Sequence, residues 1–135
     1  MTDKELDPAK QGALNKLDSP DVSIKAFQDL IREMYFEKDK ARGVPPTFMW
    51  LMEEVGELAS ALRETSAEEA SRISSKEMEA RRANLKAEFA DVLAWLATIA
   101  NVVDVDLGAA ISEKYGSGCP GCKAFVCACP DEEKP

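Results

Sequence analysis

The stretch Leu51-Met52-Glu53-Glu54-Val55-Gly56-Glu57-Leu58 decides the fold, because its pattern returns as Leu85-Lys86-Ala87-Glu88-Phe89-Ala90-Asp91-Val92. At about 100° per residue, Leu51, Val55, Leu58 and Leu62 gather on one face of a helix, with Glu54 about 60° from its centre and Glu57 further round. Glu88 and Asp91 take the same places on the second segment. A spacing of three sets each carboxylate pair on adjacent turns, with roots about 5–6 Å apart. Two such helices packed antiparallel bring four carboxylates to the edge of the apolar core, where unpaired charges repel and resist desolvation. A hard cation removes that cost. The plain alternative is a set of solvated surface glutamates; two pairs in the same phase against their apolar faces, with Glu53 beside them, argue against it.

Outward from these segments the helical period persists. From Val22 to about Arg42, residues Ile24, Phe27, Leu30, Ile31, Met34 and Tyr35 recur at threes and fours, with Asp21 placed to cap. Gly43-Val44-Pro45-Pro46 predicts a stop, and Thr47 lies in the start region of the next helix, which ends near Arg63. Between Glu64 and Asn84 large apolar residues thin to Ile73 and Met78. Two Ser-x-x-Glu patterns, Ser66 to Glu69 and Ser74 to Glu77, resemble capping boxes and predict a partly helical connector. A strong helix then runs from Leu85 through Leu93, Leu96 and Ile99 to about Val103, and a shorter one covers Asp106 to Tyr115.

No run alternates like a strand meander, so the class is all-α. Helices this few hide little surface alone, which predicts a bundle completed by homo-oligomerisation, as a homodimer or homotetramer. The chain divides into a flexible N-terminal tail (1–21), an all-α domain (22–116) and a Cys-rich tail (117–135).

Composition narrows the chemistry. The 135 residues suit one domain with tails, 45% hydrophobic and 31% charged. A net charge of −8 disfavours nucleic acid as the main partner, and the absence of histidine removes imidazole bases, Ser-His-Asp triads and His-containing metal sites. Met1 to Asp21 lacks the basic flank and apolar run of a secretion signal. The apolar-rich segment from Phe89 to Val103 is interrupted by Asp91 and Asn101 and is too short for a bilayer span. A soluble, cytoplasmic protein without a membrane role is expected. Oxygen-only ligands suit Mg²⁺, with Mn²⁺ as a substitute, whereas di-iron bundles recruit Glu-x-x-His. Magnesium held by carboxylates commonly shares its shell with phosphates, so the natural substrate is a polyphosphate.

At this point the residues resemble a known family, the MazG-like all-α nucleoside triphosphate pyrophosphohydrolases, whose signature is E-E-x-x-E followed on a later helix by E-x-x-D. Here it reads Glu53-Glu54-Val55-Gly56-Glu57 and Glu88-Phe89-Ala90-Asp91. The likeness extends over roughly Ile24 to Cys129, through Tyr35-Phe36-Glu37-Lys38-Asp39, Arg42-Gly43, Thr47-Phe48-Met49-Trp50-Leu51, Asp91-Val92-Leu93-Ala94-Trp95-Leu96 and Lys114-Tyr115. The resemblance implies hydrolysis of a ribo- or deoxyribonucleoside triphosphate to the monophosphate and pyrophosphate by water. It implies metal ligation by Glu54, Glu57, Glu88 and Asp91, with Glu53 to orient or deprotonate the water. Lys38, Arg42, Lys114 and Tyr115 are candidates for the leaving pyrophosphate, against a reading as solvated surface. Asn101, polar in an apolar helix, is a candidate to read a base edge; Trp50 or Trp95 is a candidate to flank the base, against core packing. Two departures stand out: the connector from Glu64 to Asn84 is long, and the first twenty residues match nothing in the family pattern.

All four cysteines lie at the end, as Cys119-Pro120-Gly121-Cys122 and Cys127-Ala128-Cys129. C-x2-C around Pro-Gly suits a zinc knuckle, while C-x-C is the less usual second half. An exposed reduced tail and a disulfide pair are the other readings. The rival to an enzyme is a non-catalytic acidic helical module that binds a protein partner, with a zinc-binding tail.

Overall fold

In the computed structural model, which describes residues 7–15, 17 and 19–130, six helices follow one another. They are α1 (Pro8–Asn15), α2 (Ile24–Arg42), α3 (Val44–Glu64), α4 (Ala67–Ala70), α5 (Ser75–Val102) and α6 (Leu107–Tyr115). Among the described residues there is no strand, and no single helix is long and apolar enough to cross a membrane. Helix α1 occupies part of the segment read as a tail; residues 1–6, 16 and 18 of it, and 131–135 at the other end, lie outside the described residues.

The caps correct two boundaries. Ser23, not Asp21, caps α2, its hydroxyl accepting the Ala26 N–H at 3.0 Å, because it directly precedes the first helical residue. Between α2 and α3 the break is the single residue Gly43, at φ 81, whose N–H donates to the Asp39 carbonyl at 3.0 Å. Pro45 and Pro46 sit inside the first turn of α3, where missing N–H groups cost nothing. Fully buried Thr47 donates its hydroxyl to the Gly43 carbonyl at 2.6 Å and locks the corner.

Both serine caps form. Ser66 accepts from the Glu69 N–H at 3.3 Å and Ser74 from the Glu77 N–H at 3.2 Å, so α5 begins at Ser75 rather than near Leu85. Arg81 staples the connector, reaching the Glu64 carbonyl at 3.1 Å, Glu69 at 3.1 Å and Glu77 at 3.2 Å.

Helix α5 is the spine, with α3 and α2 as its main packing partners. Residue pairs run in opposite senses along α3 and α5: Glu64 meets Arg81, while Trp50 and Glu54 meet Trp95. The two helices are therefore antiparallel. Near the end of α5, a polar clasp joins α2 and α6. The Gln28 amide donates to Asn101 Oδ1 at 3.1 Å and the Val105 carbonyl at 2.7 Å, and accepts from the Leu107 N–H at 2.9 Å. Asn101 Nδ2 donates back to the Gln28 carbonyl at 3.2 Å. Both side chains are buried and mutually satisfied.

The buried apolar core is small: Ile31, Leu51, Ala61, Ala97 and Ala100. Phe48, Met49, Trp50, Phe89, Leu93 and Leu96 remain substantially exposed on α3 and α5.

Candidate functional site

The antiparallel seam of α3 and α5 carries the repeated acidic device. Glu54, Glu57 and Glu88 each present a carboxylate oxygen, and these oxygens lie within 4.8 Å of one another. Glu88 is 9% exposed, and its Oε2 is buried with no hydrogen-bond partner. A buried carboxylate oxygen left unpaired beside two further carboxylates is unfavourable unless a cation joins it. The donor set, all hard oxygen, fits Mg²⁺ or Mn²⁺.

Burial raises the Glu54 carboxyl above its ordinary value, and the charges of Glu57, Asp91 and Glu88 push the same way. An indole N–H opposes them: Trp95 Nε1 donates to Glu54 Oε1 at 3.2 Å. Asp91 is thus an electrostatic neighbour of Glu54 without belonging to the tight trio of oxygens. Glu53 is exposed on the neighbouring strip of α3 and stands outside the trio.

Beside the carboxylates opens a cavity of about 410 Å³ between α2 and α5, lined by Tyr35, Lys38, Asp39, Arg42, Asp91 and Trp95 among others. Lys38 and Arg42 therefore share one hollow with Asp91, a member of the repeated acidic device. Arg42 is positioned from two sides, paired with Asp39 at 3.0 Å and set over the Trp95 ring at 5.2 Å. Trp95 in turn stacks on Trp50, ring centroids 6.0 Å apart and planes at 12°. The sequence reading left Asp39 without a role. It is 3% exposed, and its Oδ2 is a second buried oxygen without a partner. The signal for it was periodic: Ile31, Tyr35, Asp39 and Arg42 follow one helical face, so a charge there points inward.

The remaining candidates lie apart. Asn101 belongs to the Gln28 clasp and borders a separate hollow of about 170 Å³. Lys114 and Tyr115 are exposed on α6, with the ammonium 5.6 Å from the Tyr115 ring, and do not line the cavity. The four cysteines are free thiols brought together in the tail, away from the carboxylate trio.

Compared with known families, the chain matches the model of the MazG nucleotide pyrophosphohydrolase domain over residues 46–122, more than half its length. That span contains Glu53, Glu54, Glu57, Glu88 and Asp91, and extends into the first two cysteines. No curated protein matches it.

Proposed function

The chain belongs to the MazG nucleotide pyrophosphohydrolase family, and from that premise we propose that it hydrolyses a nucleoside triphosphate at the α–β anhydride, yielding the monophosphate and pyrophosphate. The observation that carries this reading is the buried, unpaired Glu88 carboxylate gathered with Glu54 and Glu57 beside a cavity lined by Lys38 and Arg42. Glu54, Glu57, Glu88 and Asp91 would hold Mg²⁺, which would offset their charge and that of the phosphates and lower the proton affinity of a water.

The chain's own residues do the rest. Glu53, exposed beside the trio, takes the proton from the attacking water; the α-phosphorus gains the hydroxyl oxygen, and the bridging oxygen departs with the β-phosphorus as pyrophosphate. Lys38 and Arg42 take up charge that builds on the leaving pyrophosphate. Arg42 suits this task because Asp39 and Trp95 fix its plane before substrate arrives. The Trp50–Trp95 stack supplies an aromatic wall against which a base lies.

The large apolar side chains left exposed on α3 and α5 support assembly with a second copy as a homodimer or homotetramer. Four free thiols suit a reducing, cytoplasmic setting.

The test is release of pyrophosphate from a panel of ribo- and deoxynucleoside triphosphates, including dUTP and oxidised or deaminated bases, with magnesium and with chelator. Magnesium-dependent release matched by monophosphate is expected. Silence across the panel from folded protein would replace this reading with the acidic binding module.

A further inference from the structure

The tail after α6 is ordered without an apolar core of its own. Phe125 is 99% exposed and Val126 is 78% exposed, so the segment buries no large apolar side chain to offset the entropy of fixing its backbone. Its folding is nevertheless specific. The Cys119 N–H donates to the Ala124 carbonyl at 2.9 Å, and the Lys123 N–H donates to the Cys119 carbonyl at 2.8 Å, closing a knuckle around Pro120-Gly121. Gly118 opens that knuckle at φ 98, where a Cβ would lie 2.7 Å from the Ala124 carbonyl oxygen. Lys123, directly after the second cysteine, is held at φ 62, an unfavourable conformation for a side chain of its kind unless the surroundings impose it.

What the knuckle places together is sulfur. Cys119 Sγ lies 3.5 Å from Cys127 Sγ and 3.8 Å from Cys129 Sγ, and all four Sγ atoms lie within 4.8 Å of one another. A disulfide requires about 2.05 Å. A tetrahedron of thiolates about 2.3 Å from a central zinc has edges of about 3.8 Å. The two separations from Cys119 lie near that edge, and the others stay within 4.8 Å, far from bonded sulfur and close enough to share one ion. Backbone N–H groups of Ala128 and Cys129 donate to Cys122 Sγ at 3.3 Å and Cys127 Sγ at 3.4 Å, the type of bond that stabilises a thiolate ligand.

We propose that Cys119, Cys122, Cys127 and Cys129 form a closed, four-thiolate zinc site that folds the tail. All four positions are filled by protein, so the site is structural and offers no place for substrate. It is independent of the carboxylate cluster, whose oxygens suit a different cation. The metal supplies the stabilisation that the missing core does not, and it holds the Phe125-Val126 tip outward between the two cysteine pairs.

The full chain, purified under reducing conditions, is expected to carry one zinc ion per chain by metal analysis. Cys119→Ser and Cys122→Ser should each reduce that to near zero, while Glu88→Gln keeps it. Because a Cys variant can simply unfold the tail, a second measurement uses the unaltered chain: Co²⁺ in place of zinc should give the intense visible bands of a tetrahedral thiolate ion. Alkylation of the four thiols should accelerate at least tenfold after zinc is stripped. Zinc-free protein with four freely reacting thiols, two disulfides, bound iron, a weak octahedral cobalt spectrum, or zinc lost in Glu88→Gln would each overturn the proposal.

Discussion

Glu54 and Glu88 are neighbours because two long helices run antiparallel, whereas Cys119 and Cys129 are neighbours because one short loop folds back on itself. The first arrangement needs the whole domain to form. Its carboxylates sit along a seam, and Asp91 of that set also lines a cavity between α2 and α5 with Lys38 and Arg42 on its wall. The second is assembled within a few turns of chain, with four sulfurs facing one another. On the proposed readings, the difference teaches how one chain would separate a metal that works from a metal that holds: hard ligands spread over rigid helices leave coordination open, while soft ligands on a tight loop close it.

Four measurements break or sharpen that contrast. The largest effect is expected from Glu88→Gln, which removes the buried unpaired charge. Turnover should fall by about 100-fold or more, with helix content by circular dichroism unchanged; a variant that still turned over would detach the seam from catalysis. Next, Trp95→Phe keeps a ring to stack on Trp50 and under Arg42 but deletes the N–H that Glu54 accepts. The Mg²⁺ concentration for half-maximal activity should rise by about 10-fold, the scale seen when a group supporting a metal ligand is lost. An unchanged activation curve would show that the indole only fills space.

A smaller effect is expected at the other cluster. Gly118→Ala should loosen the knuckle, so that a competing chelator removes zinc several-fold faster while magnesium-dependent pyrophosphate release stays as before; parallel loss of both would make the two sites one unit. The smallest effect concerns pH. The Glu54 carboxyl is raised above its ordinary 4.5, first by burial and then by its acidic neighbours, so the folded chain without metal binds that proton more readily than the unfolded chain. Its charge therefore costs stability as pH rises from 4.5 through the raised value. In chelator, the thermal midpoint should decline across that window, and Glu54→Gln should flatten the decline; magnesium should remove it. A midpoint that climbed through the same window in chelator, and did so less in Glu54→Gln, would reverse the sign of the argument.

The acidic device, the two serine caps and the all-α class were legible because each depends on spacings of three or four residues, which a helix converts directly into adjacency. The start of α5 was harder to place. Ser75 to Asn84 has too few apolar residues to show a face, and it is held instead by Arg81 reaching three partners on other turns. Asn101 shows the limit more sharply. A buried polar residue in an apolar helix invites a ligand-binding role, yet its amide meets Gln28, a residue 73 positions away that carries no motif. Asp39 escaped for a different reason: its neighbours in sequence are charged and look solvated, although its partner Arg42 is three residues along the same helix and its face turns to the cavity wall. Pairings set by how helices cross are absent from any local pattern.

The stack of Trp50 on Trp95 has a practical corollary. The sequence contains two tryptophans, and both are in that stack, one of them bonded to Glu54. Nearly all of the chain's intrinsic ultraviolet emission therefore originates at the seam, with no competing fluorophore of that kind elsewhere. Occupancy of the carboxylates, or a base sliding against the aromatic wall, is written into the wavelength and lifetime of that emission, so the unlabelled protein carries its own optical reporter.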